Sequence, residues 1–227
     1  CKPERLPCHP QFCYNGLMSE TAPHDHQCFL SRLRETERGL ADFVAEAGPC
    51  GLRERENPDP FTALVREIVY QQLAGRAAAA IHGRLLALEG GIGTGPAALA
   101  AAPFDVLRGC GLSAGKIAAL QGLARSRLDG IVPDRAGAEL LSDEDLITRL
   151  TPLRGIGRWT VAMLPIFPLR RPDVTPVADF GVRAGWRILR GAEKQLRPQE
   201  LNGATGGFAP DRSSLPRFLR PLAYASK

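Results

Sequence analysis

Apolar residues recur at helical spacing along most of the chain from Phe29 onward. One apolar stripe covers residues 30–44. A second begins after two prolines and continues through an alanine-rich run, which predicts one long helix over 61–88. A third stripe covers residues 113–128, whereas β-branched residues alternate at strand spacing nowhere at useful length. The pattern predicts an all-α fold.

Two amphipathic segments joined by closely spaced glycines predict a helix-hairpin-helix element. The first segment covers 142–150 and opens with a capping-box-like signal. Gly155, Ile156 and Gly157 follow, and a second apolar helix is predicted through Phe167. Glycine permits the tight turn and exposes amide N–H groups, which can hold a DNA phosphate without reading the base sequence. Ile156 is expected to anchor the turn in the core.

Residues 1–27 are rich in proline, histidine and polar residues and show no apolar period, so they predict a flexible extension before a folded domain over 28–227. The six cysteines form no CxxC pair, and four of them fall within the first 28 residues beside His9, His24 and His26. Their spacing matches no zinc or iron–sulfur motif. We therefore expect free thiols and no metal site.

The basic residues concentrate in the last third of the chain. Residues 151–227 hold 13 Lys and Arg against 5 Asp and Glu, whereas residues 1–150 hold 16 against 19. This distribution fits a face that binds a polyanion, and it fits an arginine-rich solvated surface equally well. The sequence shows no apolar run of the roughly 18 residues that a membrane helix needs, and no secretory pattern. We expect an intracellular, cytoplasmic protein associated with the nucleoid, without a membrane partner.

Four segments together carry a resemblance to a known family. They are LRGIGRWTVAML at 153–164, PVADFGVRAG at 176–185, VREIVYQQLAGRAAAAIHGRL at 65–85 and LRGCGLSAGKIAALQGLA at 107–124. The sequence resembles the helix-hairpin-helix (HhH-GPD) DNA glycosylase superfamily, and within it the 3-methyladenine DNA glycosylase II, or alkylated-base, branch. The resemblance implies two helical subdomains flanking a cleft. It also implies an enzyme that flips alkylated bases out of duplex DNA and hydrolyses their N-glycosidic bonds, which initiates base excision repair.

The resemblance assigns the catalytic role to Asp179. In the family the aspartate that opens the helix after the hairpin is catalytic, and Asp179 stands in its place. Breaking an N-glycosidic bond builds positive charge on the deoxyribose, and a carboxylate held against the sugar would stabilise that charge and orient the attacking water. Aspartate is also a common helix N-cap, so a purely structural role is the alternative.

The resemblance also indicates the base pocket and the type of reaction. Trp159 stands where the lyase branches carry a nucleophilic lysine, and no lysine occurs between Lys116 and Lys194. This implies a monofunctional hydrolase without abasic-site lyase activity. The Trp159 ring could stack on a cationic alkylated purine, or it could simply pack in the core. Tyr70 replaces a glycine that is common in this branch, and it is expected at the edge of the pocket.

Gln72 falls where the family places a wedge that fills the gap left by the flipped base, with Gln71 beside it, although a glutamine on a helix surface needs no such role. The other predicted DNA contacts are Arg154, Gly155, Ile156, Gly157, Arg158, Thr160 and Arg183. Arg158 and Arg183 could equally be solvated surface arginines. We expect no cofactor beyond a monovalent cation that the hairpin carbonyls could hold. The expected partner is double-stranded DNA containing damaged bases, bound by a monomer.

The resemblance weakens from about residue 202. The glycine-rich stretch 202–207 predicts poor helix, and Pro216 and Pro221 predict a broken closing helix, which would remove cover from the core around Asp179. Two alternatives therefore stay open. One is a DNA-binding protein that keeps the hairpin without catalysis, and the other is a glycosylase for deaminated or mismatched bases.

Overall fold

The computed structural model describes residues 30–31, 33–35, 38–47, 59–93, 95–166 and 168–225. Within these ranges the regular elements are helices and none is a strand, which confirms the predicted all-α class. No helix in this part of the chain is long and apolar enough to cross a membrane. The predicted extension over residues 1–27, with its cysteines and histidines, lies outside the described residues.

The helices are short and follow one another closely. In chain order they are α1 (Arg38–Ala47), α2 (Pro60–Tyr70), α3 (Gly75–Leu86), α4 (Pro96–Ala101), α5 (Phe104–Gly109), α6 (Ala114–Leu128), α7 (Arg135–Glu139), α8 (Asp143–Leu150), α9 (Arg158–Ala162), α10 (Phe180–Leu189), α11 (Pro198–Ala204) and α12 (Leu215–Ala225). Short 3₁₀ helices occur at Glu89–Gly91, Gly206–Phe208 and Arg212–Ser214.

The chain divides into two compact units. The central unit is formed by the described residues within 57–169 and holds α2 to α9, whereas the terminal unit is formed by the described residues within 1–56 and 170–227 and holds α1 and α10 to α12. Two compact helical units are consistent with the two predicted subdomains. The cleft between them stays a prediction.

The central unit is built around α2 and α6, which pack against each other. The side chain of Asp59 caps α2 by accepting a hydrogen bond from the backbone N–H of Phe61, at 3.0 Å. Pro60 occupies the first turn, where its missing N–H leaves no helical bond unmade. The core that the two helices share is fully or almost fully buried and includes Leu64, Val65, Ile68, Ile117, Leu120 and Leu123.

The alanine-rich run is a separate helix, so the predicted continuous helix over 61–88 is wrong. α2 ends at Tyr70 and α3 begins at Gly75. The backbone leaves the helical region at Gln71, with ψ 132°, and Gln72 is left-handed, with φ 56°. Neither a glycine nor a proline stands at these two positions, so the usual turn signals are missing from the break.

The second helix of the hairpin is shorter than predicted. α9 ends at Ala162, and turns continue to Ile166, whereas the predicted end at Phe167 lies outside the described residues. Pro165 explains the early end. A proline disfavours helical backbone in the residue before it and supplies no N–H of its own.

The terminal unit packs α10 against α12. Val182 and Trp186 of α10 share one core with Leu215 and Leu219 of α12. Gly185 lies where the two helices touch, because a Cβ added there would overlap the backbone carbonyl of Leu219. The close approach of α12 to α10 therefore requires glycine at this position.

The closing helix forms, so the prediction that it is broken is wrong, whereas the α-helix before it ends at Ala204, within the stretch 202–207 that predicts poor helix. Both α11 and α12 form, and α12 continues across Pro216 and Pro221. Pro216 lies in the first turn, where a missing N–H removes no helical hydrogen bond. A proline inside a helix costs about 3 kcal/mol, but burial of Leu215 and Leu219 contributes about 2 kcal/mol each.

Candidate active site

Asp179 precedes α10, and it is almost wholly buried, at 3% exposure. Its Oδ1 accepts a hydrogen bond from the backbone N–H of Val182, at 2.9 Å. The predicted catalytic residue is therefore also the N-cap of its helix. The cap fixes the orientation of the carboxylate, and the N-terminus of a helix favours a negative charge. The structural and the catalytic interpretation of Asp179 are compatible.

A positive charge from the end of the described chain faces this carboxylate. Nε of Arg220, on α12, lies 3.7 Å from Oδ2 of Asp179, and the Arg220 side chain is 15% exposed. A buried carboxylate is costly unless a positive charge or hydrogen bonds accompany it. The expected loss of cover around Asp179 is thus wrong, since α12 supplies both packing and charge. Arg220 was missed because no motif marks it and the closing helix was not expected to form.

Arg183 lies one turn after Asp179 on α10. It is half-buried, and its Nη1 donates to the carbonyl of Leu196, at 3.4 Å. Its Nε is buried and has no hydrogen-bond partner among the described atoms. The Arg183 side chain is therefore not a freely solvated surface arginine, which is one of the two predicted alternatives. The predicted contact between Arg183 and DNA stays a prediction.

The hairpin turn in the central unit forms where the sequence predicts it. Gly155 has φ 79°, and a Cβ there would lie 2.9 Å from Cβ of Ala119 on α6, so the position requires glycine. Ile156 is 4% exposed and belongs to the central core, which confirms its predicted anchoring role. Gly157 precedes α9, and the space where its Cβ would lie is open. Both glycines are exposed, so the turn presents backbone at the surface.

The side chains next to the turn differ in exposure. Arg154 is exposed, and Arg158 is exposed and paired with Glu144, with 3.0 Å between Nη2 and Oε2. Thr160 is 4% exposed, and the predicted contact between Thr160 and DNA stays a prediction. Trp159 is half-buried, and its stacking on a base stays a prediction beside the alternative that it packs in the core.

Residues 71–74, the glutamine loop, connect α2 and α3, so Gln71 and Gln72 do not lie on a helix as predicted. Gln72 is exposed and left-handed, a conformation that costs a non-glycine residue about 1 kcal/mol. Gln71 is half-buried, and its Nε2 donates to the carbonyl of Gly155, at 2.8 Å. A direct hydrogen bond therefore joins the glutamine loop to the hairpin turn.

Lys116, on α6, binds the start of the same loop. Its Nζ donates to the carbonyl oxygens of Val69, at 2.7 Å, and Gln71, at 2.8 Å. Burial lowers the pKa of Lys116. The last carbonyls of a helix have no hydrogen-bond partner within the helix and favour a nearby cation. Lys116 supplies such a cation at the end of α2. Sequence reasoning missed this lysine, because its partners are backbone atoms far along the chain.

Tyr70, the predicted edge of the base pocket, is half-buried at the end of α2. The Arg66 guanidinium lies 4.0 Å from the centre of its ring, and the ring of His82 meets it edge-on, with 5.9 Å between centroids. Arg66 is 7% exposed and lies 3.4 Å from Glu67, and its Nε and Nη2 have no hydrogen-bond partner among the described atoms. Whether Tyr70 contacts a base stays a prediction.

The central unit has a hairpin turn with exposed glycines, and the terminal unit has a capped aspartate before α10, two features that the resemblance to helix-hairpin-helix DNA repair proteins predicts. Residues 65–206 match the family described as "HhH-GPD superfamily base excision DNA repair protein". The chain belongs to this family, which confirms the family predicted from the sequence.

Relatives and solved structures agree with this assignment. The chain is 40% identical over 161 residues to DNA-3-methyladenine glycosylase 1 of Schizosaccharomyces pombe, and the match covers 70% of each chain. A solved structure of S. pombe 3-methyladenine DNA glycosylase in complex with abasic DNA superposes with a TM-score of 0.73, at 34% identity, over 85% of this chain and 95% of the other. The crystal structure of a DNA-3-methyladenine glycosidase from Bacillus halodurans superposes with a TM-score of 0.72, at 30% identity, over 92% of this chain and 94% of the other.

Proposed function

We propose that this chain is an alkylbase DNA glycosylase, which binds duplex DNA and hydrolyses the bond between a base of the 3-methyladenine type and its deoxyribose. The similarity to DNA-3-methyladenine glycosylases supports this substrate class. The observation that carries the catalytic assignment is the carboxylate of Asp179, which is buried, oriented by the backbone of Val182 and accompanied by Arg220.

The reaction needs a fixed negative charge beside the sugar. As the C1′–N bond breaks, its electron pair leaves with the base and positive charge develops on the deoxyribose. Because the Val182 N–H holds Oδ1, Asp179 can stabilise that charge without first reorienting. Water adds to C1′ and passes its proton to the Asp179 carboxylate and from there to solvent, since the alkylated base, which is cationic before cleavage, leaves in neutral form. The products are the free base and an abasic site.

We expect the enzyme to leave the abasic strand uncut. Trp159 occupies the hairpin position at which lyases of this superfamily carry lysine. Nζ of Lys116 donates to two backbone carbonyls, so it is not available to attack the sugar. Borohydride should therefore trap no covalent adduct between the protein and alkylated DNA, and a trapped adduct would overturn the assignment as a simple hydrolase.

Most of the proposed contacts with the DNA backbone lie on the central unit, and Arg183 is the one predicted in the terminal unit. The exposed backbone at Gly155 and Gly157 is suited to hold a phosphate, with Arg154 nearby and with Arg158 able to exchange Glu144 for a phosphate. Double-stranded DNA that contains a damaged base is the proposed partner of this surface. A monomeric state, a cytoplasmic location and a monovalent cation at the hairpin remain predictions.

Gln72 is the proposed wedge. Its side chain is exposed, and its backbone is held in a conformation that glutamine rarely adopts. Strain of this kind persists when the surrounding structure imposes it, and it is concentrated at functional sites. A plug that prevents the flipped base from restacking would offset part of the cost of its extraction, which is a few kcal/mol.

The deciding experiment measures base release under single-turnover conditions from duplexes containing 3-methyladenine, hypoxanthine, ethenoadenine or a mismatch. The wild type should release the alkylated base, and Asp179→Asn should do so about 10³-fold more slowly. Asparagine caps a helix as well as aspartate does, so the variant should keep the start of α10, although it loses the ion pair with Arg220 and some stability with it. Urea denaturation and the affinity for duplex DNA therefore accompany the rate measurement. Asp105→Asn, which changes an exposed aspartate on α5, is the control.

Each other outcome selects an alternative. Release of hypoxanthine or of a mismatched base without release of 3-methyladenine would favour a glycosylase of different specificity. Tight duplex binding without release of any base would favour a DNA-binding protein that lacks catalysis. An Asp179→Asn variant that retains the wild-type rate would remove this residue from the mechanism.

A further inference from the structure

We propose that Lys116 is a positioning residue that holds the glutamine loop against the hairpin turn, so that Gln72 is already in place for base extraction when the hairpin binds the DNA backbone. The inference rests on the proposed function of Gln72 as a wedge. It adds a residue that touches neither the DNA nor the base.

The contacts form a closed ring within the central unit. Nζ of Lys116 donates to the carbonyls of Val69 and Gln71. The side chain of Gln71 donates to the carbonyl of Gly155 in the hairpin turn. Gly155 in turn lies directly against Ala119, one turn after Lys116 on the same helix, α6. One helix therefore holds both the glutamine loop and the hairpin turn.

The positive charge of Lys116 stabilises the backbone carbonyls where α2 ends. Its two acceptors lie on either side of Tyr70, where α2 ends and the backbone turns into the left-handed Gln72. Without a cation there, the carbonyls at the negative end of α2 lose their partner. The surrounding structure would then hold Gln72 less firmly in its unfavourable left-handed conformation.

The packing of α6 does not depend on this charge. Ile117 and Leu120 bury the helix in the central core, whereas Lys116 is half-buried at the edge. A methionine at position 116 would keep most of the side-chain volume while removing both hydrogen bonds. Loss of the lysine should therefore act on the loop more than on the fold.

The experiment compares two substrates that differ in the cost of base extraction. In one, the alkylated base is paired in an intact duplex. In the other, the same base lies opposite a tetrahydrofuran abasic analogue, so that pairing is already lost and the wedge is needed less. Single-turnover release is measured for the wild type, Lys116→Met and Lys116→Arg. Lys194→Met, which removes an exposed lysine of the terminal unit, is the control.

Lys116→Met should slow release from the paired substrate about tenfold and from the unpaired substrate about twofold, because base extraction is the affected step. Lys116→Arg should recover most of the loss, and Lys194→Met should match the wild type on both. The fluorescence of 2-aminopurine placed beside the lesion should show less unstacking with Lys116→Met. Affinity for a duplex containing tetrahydrofuran should change less than the rate.

Equal loss on the two substrates, or no loss on either, would overturn the positioning role. If Lys116→Met does not fold, Gln71→Ala breaks the same ring at its link to Gly155, and the same selective loss is expected. A wild type that releases no base from either substrate would overturn the proposed function instead. That result is seen before any variant is compared.

Discussion

In the central unit, the side chains that hold the glutamine loop donate to backbone carbonyls, whereas in the terminal unit two ion pairs join side chains from distant segments of the chain. Lys116 and Gln71 both donate to main-chain oxygens. In contrast, Asp179 pairs with Arg220, and Asp173 with Arg212, so each pair depends on two specific residues. The hydrogen bonds of Lys116 to Val69 and Gln71 should therefore survive changes of the accepting side chains, whereas each ion pair of the terminal unit should be lost when either partner is replaced.

Arg220→Met should have the largest effect among the variants that test this difference. It removes the positive charge of Arg220 from beside the buried Asp179 carboxylate, which should lower the free energy of unfolding by about 3 kcal/mol. The single-turnover rate should fall about 100-fold with affinity for duplex DNA unchanged. Urea denaturation and base release measure the two effects. Arg220→Lys keeps the positive charge and should lose clearly less stability and less activity than Arg220→Met. Equal losses in the two variants would argue against an electrostatic role of Arg220.

Gly185→Ala should be the next most damaging. Its Cβ would overlap the carbonyl of Leu219, so α10 and α12 must separate, at a cost of about 3 kcal/mol. Gly122→Ala on α6 is the matched control, because it meets no atom and replaces a helical glycine, and it should stabilise the protein by up to about 1 kcal/mol. Thermal unfolding compares them. A neutral Gly185→Ala would show that the helices are not packed as closely as described.

Gly157→Asp should affect the central unit alone. A carboxylate at the proposed phosphate site should weaken duplex binding about tenfold, to a similar degree for every base sequence. At saturating enzyme, the rate of base release should be unchanged. Gly203→Asp adds the same charge in the terminal unit at an open position and controls for net charge. Fluorescence anisotropy with two unrelated duplexes measures the affinities, and equal weakening by both variants would refute a specific site.

Asp173→Asn should have the smallest effect, about 1 kcal/mol at pH 7. Hydrogen bonds from the Arg212 side chain, at 2.5 and 2.7 Å, hold the pKa of the Asp173 carboxyl below its usual value. The stabilisation is therefore fully present above the usual value and is lost as the pH falls through the lowered one. Urea denaturation at pH 7 and at pH 3 should show the difference between wild type and variant shrinking. If the difference in unfolding free energy between wild type and Asp173→Asn is the same at both pH values, the Asp173–Arg212 pair is not the source of that difference.

The elements that could be predicted from the sequence are those with a local signature. The hairpin glycines, the anchor at Ile156 and the aspartate that begins α10 each lie within a short motif, and the structure places them as expected. The residues that were missed act over long distances. Lys116 reaches backbone atoms 45 and 47 positions away, and such acceptors leave no trace in the sequence.

Two errors in the predicted helices have physical causes. The break after α2 was hidden because a glutamine, rather than a glycine or an asparagine, adopts the left-handed conformation. The closing helix was underestimated because Pro216 and Pro221 were counted as breakers without allowance for position and burial. Pro216 lies in a tolerated first turn, and the leucines of α12 outweigh the cost of Pro221.

The pairing of Asp179 with a residue of α12 also sets an order of events during translation. The ribosome completes the hairpin and the aspartate well before it reaches Arg220. A nascent or prematurely terminated chain that lacks α12 would carry the hairpin turn but would lack the charge that lies beside Asp179.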